Sequence, residues 1–214
     1  MNIGVFDSGR GGELMAERLR LHLPQHTFQV VNDSENVPYG SRPQAEIVDL
    51  TDAAIQPLLK SSDIVVIACN TATMAGINTL RERYPDMRFV GTEPMIKPAA
   101  ALTAKSRVTM LATPLTMRSQ RYIELCDAHG QSVHVDEPYT QHWATQIERH
   151  EIEDINFEDV AASVQAGSDV IVLACTHYLA LQHKIAALFP DVSILEPSEA
   201  IARQIDRLVR KLDV

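Results

Sequence analysis

Cysteine is scarce in this chain, which has three among its 214 residues. An odd number of cysteines without a close Cys-x-x-Cys pair argues against a disulfide framework and against a zinc knuckle. The histidines are scattered without the spacing of metal ligands, and no lysine follows a predicted strand end as a Schiff-base lysine would. The sequence therefore predicts free thiols, no metal and no cofactor.

Long apolar runs and basic runs are missing as well. No segment approaches the roughly 20 apolar residues that cross a membrane, and no basic stretch followed by an apolar one precedes the first predicted strand. No cluster of Lys and Arg offsets the formal net charge of -9, which argues against a nucleic-acid-binding protein. We expect a soluble, cytoplasmic protein with no nucleic-acid or membrane partner.

What the chain does contain is an internal repeat. Residues 62–71 (SDIVVIACNT) are matched by residues 168–177 (SDVIVLACTH), and residues 84–94 are echoed by residues 189–197. An aliphatic run that stops at a small polar cluster is typical of a buried parallel strand, and its C-terminal end lies at the edge where open α/β sheets bind ligands. The repeat therefore predicts two such edges, one with the thiol of Cys69 and one with that of Cys175.

The order of the elements predicts an α/β fold. Strands alternate with helices along both repeats, which favours two pseudosymmetric domains, each with a parallel sheet, and an active site in the cleft between them. The predicted domains are residues 1–94 plus 198–214 and residues 95–197. The last segment is expected to return to the first domain.

Helices are predicted from apolar faces and capping residues. Asn70 or Thr71 is expected to cap the helix that follows Cys69. The apolar spacing places Ile47, Leu50, Ala54 and Leu58 on one face of the helix before the first cysteine strand, and turns Ile201, Ile205 and Leu208 of a final helix, Glu199 to Leu212, inward.

Two opposed thiols suit inversion at a carbon that bears a weakly acidic hydrogen, because a thiolate can remove the proton from one face while a thiol returns one to the other. An ordinary cysteine has a pKa of about 8.5, and a helix N-terminus lowers it, so both forms are accessible near neutral pH. The simpler alternative is that each cysteine only fills a strand end. The matched positions of Cys69 and Cys175 argue against it, whereas Cys126, within a predicted helix, keeps that interpretation.

Four segments resemble the signature motifs of the glutamate racemases, within the cofactor-independent aspartate/glutamate racemase superfamily. In family order they are residues 4–9 (GVFDSG), 37–40 (VPYG), 68–72 (ACNTA) and 175–178 (CTHY). Residues 91–94 and 112–116 resemble further family blocks, so the resemblance covers nearly the whole chain. It implies an isomerase that interconverts L- and D-glutamate and supplies D-glutamate for peptidoglycan synthesis in cell wall biogenesis, and it leaves a homodimer open.

The resemblance also implies roles for single residues. Cys69 and Cys175 are the two expected catalytic bases, with Asp7 assisting the first and His177 the second. Glu148 is the nearest match to an acidic residue that the family carries near the second thiol. Substrate contacts carry over to Asp7, Ser8, Tyr39, Gly40, Asn70, Thr71, Thr176 and His177.

Other interpretations stay open at this point. Asp7 could cap the first helix, and His177 could be a core histidine. The turn at residues 9–12 (GRGG) fits neither GxGxxG nor a Walker loop and is predicted to offer free amide groups to a carboxylate. A non-catalytic amino-acid-binding protein on the same scaffold is an alternative, but it would be expected to lack a thiol, and both thiols are present. Departures from the family pattern leave open a racemase of aspartate or another amino acid. These departures are Glu35, Asn36, Ala174 and Leu179.

Overall fold

The computed structural model describes residues 1–211. Leu212, where the final helix was predicted to end, and the last residues of the predicted first domain, 212–214, lie outside the described residues. Within residues 1–211, the chain forms two four-stranded parallel sheets with the strand orders β2-β1-β3-β4 and β6-β5-β7-β8. The strands are β1 (Asn2–Asp7), β2 (Thr27–Asn32), β3 (Ile64–Ile67), β4 (Arg88–Gly91), β5 (Arg107–Leu111), β6 (His134–Asp136), β7 (Val170–Leu173) and β8 (Ser193–Leu195).

The second sheet repeats the order of the first, which confirms the predicted α/β fold with two parallel sheets. The two cysteine strands occupy equivalent inner positions, and every residue of β3 and of β7 is buried. Uniform burial follows from helices on both faces of each sheet, and it explains why these strands show continuous aliphatic runs instead of alternation.

The helices fill the connections between the strands. They are α1 (Gly11–His22), α2 (Gln44–Ser61), α3 (Asn70–Arg83), α4 (Ile96–Leu102), α5 (Pro114–Arg118), α6 (Gln120–His129), α7 (Trp143–Glu148), α8 (Glu158–Gln165), α9 (Gln182–Leu188) and α10 (Ser198–Arg210). In the described part of the chain, three short 3-10 helices add to them, at Tyr39–Ser41, Ile152–Asp154 and Thr176–Leu181.

The predicted inner face of α2 is confirmed, and the structure extends it. Ile47 and Leu58 are buried, and the half-buried Leu50 and Ala54 pack against the same core. Thr51 and Ile55 are buried on this helix as well. The positions 47, 51, 55 and 58 follow the helical period closely, and the polar Thr51 concealed this stripe in the sequence.

Helix α10 follows the second sheet but packs against α1 and β4 of the first half. Ile201 and Ile205 are fully covered, and Leu208 packs against the same core as a half-buried residue. The predicted domain boundaries accommodate this packing but stay a prediction. None of the helices in residues 1–211 is both long and apolar enough to cross a membrane.

Candidate active site

A cleft of about 1020 Å³ lies between the carboxyl ends of the two sheets. Its walls come from both halves of the chain, and both Cys69 and Cys175 line it. Seven further residues predicted for the site also line it. They are Ser8, Tyr39, Gly40, Asn70, Thr71, Thr176 and His177. Asp7 and Glu148 are not among the lining residues and lie behind the wall.

Cys69 stands between β3 and α3 and caps that helix with its own side chain. Its Sγ accepts a hydrogen bond from the Ala72 N–H at 3.4 Å, so the predicted cap at Asn70 or Thr71 was wrong. Both of those residues already belong to the first turn of α3. The Ser8 hydroxyl lies 3.4 Å from the same sulfur.

The environment of Cys69 does not lower its pKa, contrary to the expectation for a thiol at a helix N-terminus. Burial and the nearby charge of Asp7 raise the pKa to about 12, although the contacts with Ser8 and Ala72 act in the other direction. Desolvation thus outweighs the helix terminus here. In the free protein Cys69 is a neutral thiol at pH 7.

Cys175 occupies the matching position after β7, but its surroundings differ. A 3-10 helix, Thr176–Leu181, follows it where an α-helix was expected, and the described structure shows no capping bond from its sulfur. Nδ1 of His177 lies 3.8 Å from Sγ, within hydrogen-bond distance for sulfur. The two thiols are therefore equivalent in topology and unequal in chemistry.

His177 is buried and joins Cys175 to Glu148, whose Oε1 lies 2.7 Å from the Nε2 of His177. Burial alone would lower the pKa of His177, but the hydrogen bonds to Cys175 and Glu148 and the charge of Asp7 raise it well above the ordinary value. Burial likewise opposes ionisation of Glu148, yet His177 and Arg10 lower the pKa of this carboxyl below its ordinary value. The pair therefore favours imidazolium and carboxylate.

The glycine turn before α1 meets this pair. The backbone N–H of Arg10 donates to Glu148 Oε1 at 2.8 Å, and that of Gly9 donates to Asp7 Oδ1 at 3.0 Å. The expectation that the turn keeps these amides free for a substrate carboxylate was wrong, because the protein's own carboxylates occupy them.

Asp7 lies fully buried beneath the cleft. The Thr176 hydroxyl donates to its Oδ2 at 2.7 Å, which links the first half to the residue after Cys175. Arg10, not Asp7, is the N-cap residue of α1, so the alternative that Asp7 caps this helix fails. Burial raises the pKa of Asp7 more than His177, Thr176 and Gly9 lower it.

Close approach of the two halves explains two glycines of the turn. A Cβ on Gly9 would lie 2.6 Å from His177 Nε2, and one on Gly11 would lie 2.8 Å from the backbone carbon of Thr176. Neither distance is tolerated without a shift of the neighbour. The absence of side chains at these positions allows the turn to touch the segment after Cys175.

Asn70 and Thr71 present polar groups to the cleft. The Asn70 amide nitrogen donates to the Ala174 carbonyl at 2.6 Å, and its Oδ1 is buried with no hydrogen-bond partner among the described residues. The Thr71 hydroxyl lies 3.0 Å from that of Thr113, which lies 3.0 Å from that of Thr116. Sequence reasoning missed Thr113 as a lining residue, although its position two residues after the end of β5 was a usable signal.

The loop that carries Tyr39 and Gly40 is fixed by Asp33. The Tyr39 hydroxyl donates to Asp33 at 2.6 Å, and the Asn36 amide donates to the other oxygen at 2.9 Å. Neither Asn36 nor the exposed Glu35 lines the cleft. These two departures from the family pattern therefore act on the loop and not on the cleft wall.

No group of three or more His, Cys, Asp or Glu side chains within residues 1–211 is placed to hold a metal ion. The residues that line the cleft offer two thiols, hydroxyl and amide groups, His177 and several charged side chains. The charged residues are Arg42, Arg81, Glu93, Arg118, Arg121 and Glu124. Chemically, this set can transfer protons and bind a small polar molecule.

Comparison with known proteins connects the site to a family. The profile of the Asp/Glu/hydantoin racemase family matches residues 13–205. The chain is 36% identical over 217 residues to the glutamate racemase of Pseudomonas paraeruginosa, a match that covers 97% of this chain and 81% of the relative. It is 37% identical over 219 residues to that of Herpetosiphon aurantiacus, with 99% and 86% covered.

A solved structure agrees with these relatives. The glutamate racemase of Escherichia coli, in complex with L-glutamate and the activator UDP-MurNAc-Ala, superimposes with a TM-score of 0.86 at 29% identity. The match covers 98% of this chain and 82% of that one. This chain belongs to the Asp/Glu/hydantoin racemase family and is a racemase, an isomerase.

Proposed function

We propose that this racemase interconverts L- and D-glutamate by moving the α-hydrogen between Cys69 and Cys175. The observation that carries the proposal is the placement of both thiols, at equivalent strand ends of two repeated sheets, in one cleft. Inversion requires a proton to leave from one face and another to arrive at the opposite face. A cleft between two pseudosymmetric halves supplies the two faces.

Glutamate as the substrate rests on the relatives. The proteins of Pseudomonas paraeruginosa and Herpetosiphon aurantiacus, each more than a third identical to this chain, are glutamate racemases, and each match extends over at least 97% of this chain. The departures at Glu35 and Asn36 lie outside the cleft wall, so they give no reason to prefer another side chain.

The unequal surroundings of the thiols suggest a resting state. Cys69 is a protonated thiol and is ready to donate. Cys175 lies beside the imidazole of His177, which Glu148 holds in place. In the proposed mechanism, one enantiomer gives its proton to Cys175 and receives a proton from Cys69. The other enantiomer requires the opposite protonation of both thiols.

Polar groups of the wall fit an amino acid. The Asn70 Oδ1, which has no partner among the described residues, is an acceptor suited to the ammonium group, while the hydroxyl groups of Ser8 and Thr71 can donate to carboxylates. The carbanion formed during transfer is met by such fixed donors in a site shielded from bulk water. We propose no cofactor in this mechanism.

The direct test is NMR of amino acids in deuterated water with the purified protein. We expect exchange of the α-hydrogen and interconversion for both enantiomers of glutamate. Exchange with aspartate but not glutamate would change the substrate, and no exchange with any amino acid would overturn the catalytic proposal in favour of a binding protein. Resistance of the activity to EDTA and hydroxylamine is expected, with loss on thiol alkylation.

Substitution of one thiol at a time tests the role of each. Cys69→Ser and Cys175→Ser should each abolish racemisation, because inversion needs both groups. Elimination of HCl from a β-chloro amino acid needs only one base, so each variant should keep this reaction with one enantiomer. Equal loss with both enantiomers in both variants would refute the assignment of the thiols to opposite faces.

The biological role we propose is the supply of D-glutamate for peptidoglycan, and so for the cell wall and cell shape, in the cytoplasm. Expression of the chain in a bacterium that requires D-glutamate should remove that requirement, whereas the Cys69→Ser variant should not. Persistent dependence on added D-glutamate, with active protein present in the extract, would argue against this role.

A further inference from the structure

We propose that Arg10 is a positioning residue for the Cys175 half of the reaction and acts through Glu148 and His177, with His150 as the partner of its side chain. This inference rests on the proposed two-thiol function. It concerns a residue of the glycine turn for which the sequence indicated no role.

Contacts connect Arg10 to the second thiol in three steps. Its backbone N–H donates to Glu148 Oε1 at 2.8 Å, the same oxygen lies 2.7 Å from His177 Nε2, and His177 Nδ1 lies 3.8 Å from Cys175 Sγ. Arg10 belongs to the first half of the chain, and the other three residues belong to the second. These contacts therefore connect the two halves of the chain behind the wall of the cleft.

The side chain of Arg10 also contacts the second half of the chain. Its guanidinium contacts Nε2 of His150 and lies 3.4 Å from the Nδ1 of that ring. His150 comes two residues after the end of α7, the helix that carries Glu148. The guanidinium thus holds the end of α7 against the turn that binds the Glu148 carboxylate.

The backbone of His150 gives an independent reason to assign it a role. Its φ of 62° lies in the left-handed region, at the end of a helix, where glycine is the usual residue. A histidine is less favourable than glycine in this conformation, because its Cβ crowds the following carbonyl oxygen. The imidazole ring of His150 makes the contact with Arg10, and a glycine at this position could not make it.

Two variants that are expected to fold normally can distinguish a positioning role from a role in stability. Arg10→Leu keeps the backbone N–H but removes the guanidinium, and His150→Gly relieves the left-handed backbone while removing the ring. Both should lower elimination of HCl from the β-chloro enantiomer that Cys175 deprotonates by about three- to tenfold, the rate equivalent of one hydrogen bond. Elimination from the other enantiomer should change less than about twofold.

The matched control is Arg149→Leu, which removes the same charge from an exposed neighbour of His150. It should leave both eliminations unchanged, and Arg10→Lys should restore part of the loss. The double variant of Arg10→Leu and His150→Gly should be no worse than either single one, because the two residues act through one contact. If Arg10→Leu and His150→Gly lowered the elimination rate equally with both enantiomers, or did not lower it at all, the proposal would be overturned.

One readout does not depend on turnover. His177 faces Cys175, Glu148 and Asp7, and its ring nitrogens can be followed by ¹⁵N NMR. Arg10→Leu and His150→Gly should shift its titration, and Arg149→Leu should not. If the protein acts on no amino acid, the proposed function fails while this shift still decides the positioning role. An unchanged titration in an active enzyme would refute the positioning role alone.

Discussion

At the scale of single residues, the pair of Glu148 and His177 makes the stability of the protein depend on pH. The pKa of His177 is raised above 6.5. The stability that its charged form adds to the fold is therefore fully present below about pH 6.5 and is lost as pH rises through the raised pKa. The pKa of Glu148 is lowered from 4.5. The stability that its charged form adds is therefore fully present above about pH 4.5 and is lost as pH falls through the lowered pKa.

Glu148→Gln should therefore destabilise the fold most between about pH 4.5 and 6.5. The expected loss there is about 1.5 to 3 kcal/mol, as for a hydrogen bond between charged groups, and it should shrink at more acidic and more alkaline pH. Urea unfolding across this range measures it. Glu153→Gln, which removes an exposed partner of Lys184, is the control and should cost less than about 1 kcal/mol at every pH.

A loss of stability for Glu148→Gln that is the same at every pH would show that the two groups are not charged together.

The sequence predicted that His177 and Glu148 belong to the site, but not that they are in contact, because the partner of Glu148 comes from a distant strand end. The pKa of Cys69 was beyond sequence reasoning for a related reason. A helix N-terminus is visible in the sequence, whereas the burial that opposes it arises only from tertiary packing.

At the scale of elements, Cys69 has a structural task besides the proposed chemical one, because its sulfur caps α3. Serine is among the strongest N-cap residues, so Cys69→Ser should keep the stability of the wild-type protein. Cys69→Ala should lose about 1 kcal/mol. Thermal or urea unfolding distinguishes the two, and both variants should be inactive as racemases.

Ser119→Ala provides the comparison for this measurement. Ser119 caps α6 by accepting from the Tyr122 N–H at 3.2 Å, and its loss should also cost about 1 kcal/mol. If Cys69→Ser and Cys69→Ala were equally stable while Ser119→Ala was destabilised, the cap at α3 would contribute nothing.

Elements were predicted well wherever the pattern was apolar and continuous. The buried runs at residues 64–67 and 170–173 identified β3 and β7. The 3-10 helix after Cys175 could not be predicted, because its residues resemble a helix start. What distinguishes the two cysteine strands is the contact of Thr176 with Asp7 of the other half.

At the scale of the whole molecule, the glycine turn sets how closely the two halves approach. Gly11→Ala should push the turn away from the backbone of Thr176 and cost about 1 to 3 kcal/mol in stability, as overpacking does. Because Thr176 follows Cys175, racemisation should fall as well. Urea unfolding and the rate with both enantiomers of glutamate measure these effects.

Gly167→Ala is the matched control. Gly167 has a φ of 107°, and apart from the glycine and its two chain neighbours no atom of the described residues lies within 4 Å of the position that an alanine methyl group would take, so alanine there is strained by its backbone alone. It should lower stability by about 1 to 2 kcal/mol and leave racemisation unchanged. Full activity in Gly11→Ala would show that the distance between the halves does not matter for catalysis.

The repeated strand order also has an evolutionary consequence. Each half carries one cysteine strand in the same inner position of the same four-stranded sheet. Under the two-thiol proposal, an ancestral single half could exchange a proton on one face of its ligand but could not invert it. Two identical copies associated face to face would already hold both thiols. Fusion of two such genes would free the copies to diverge, so that one thiol could acquire a histidine neighbour and the other a serine.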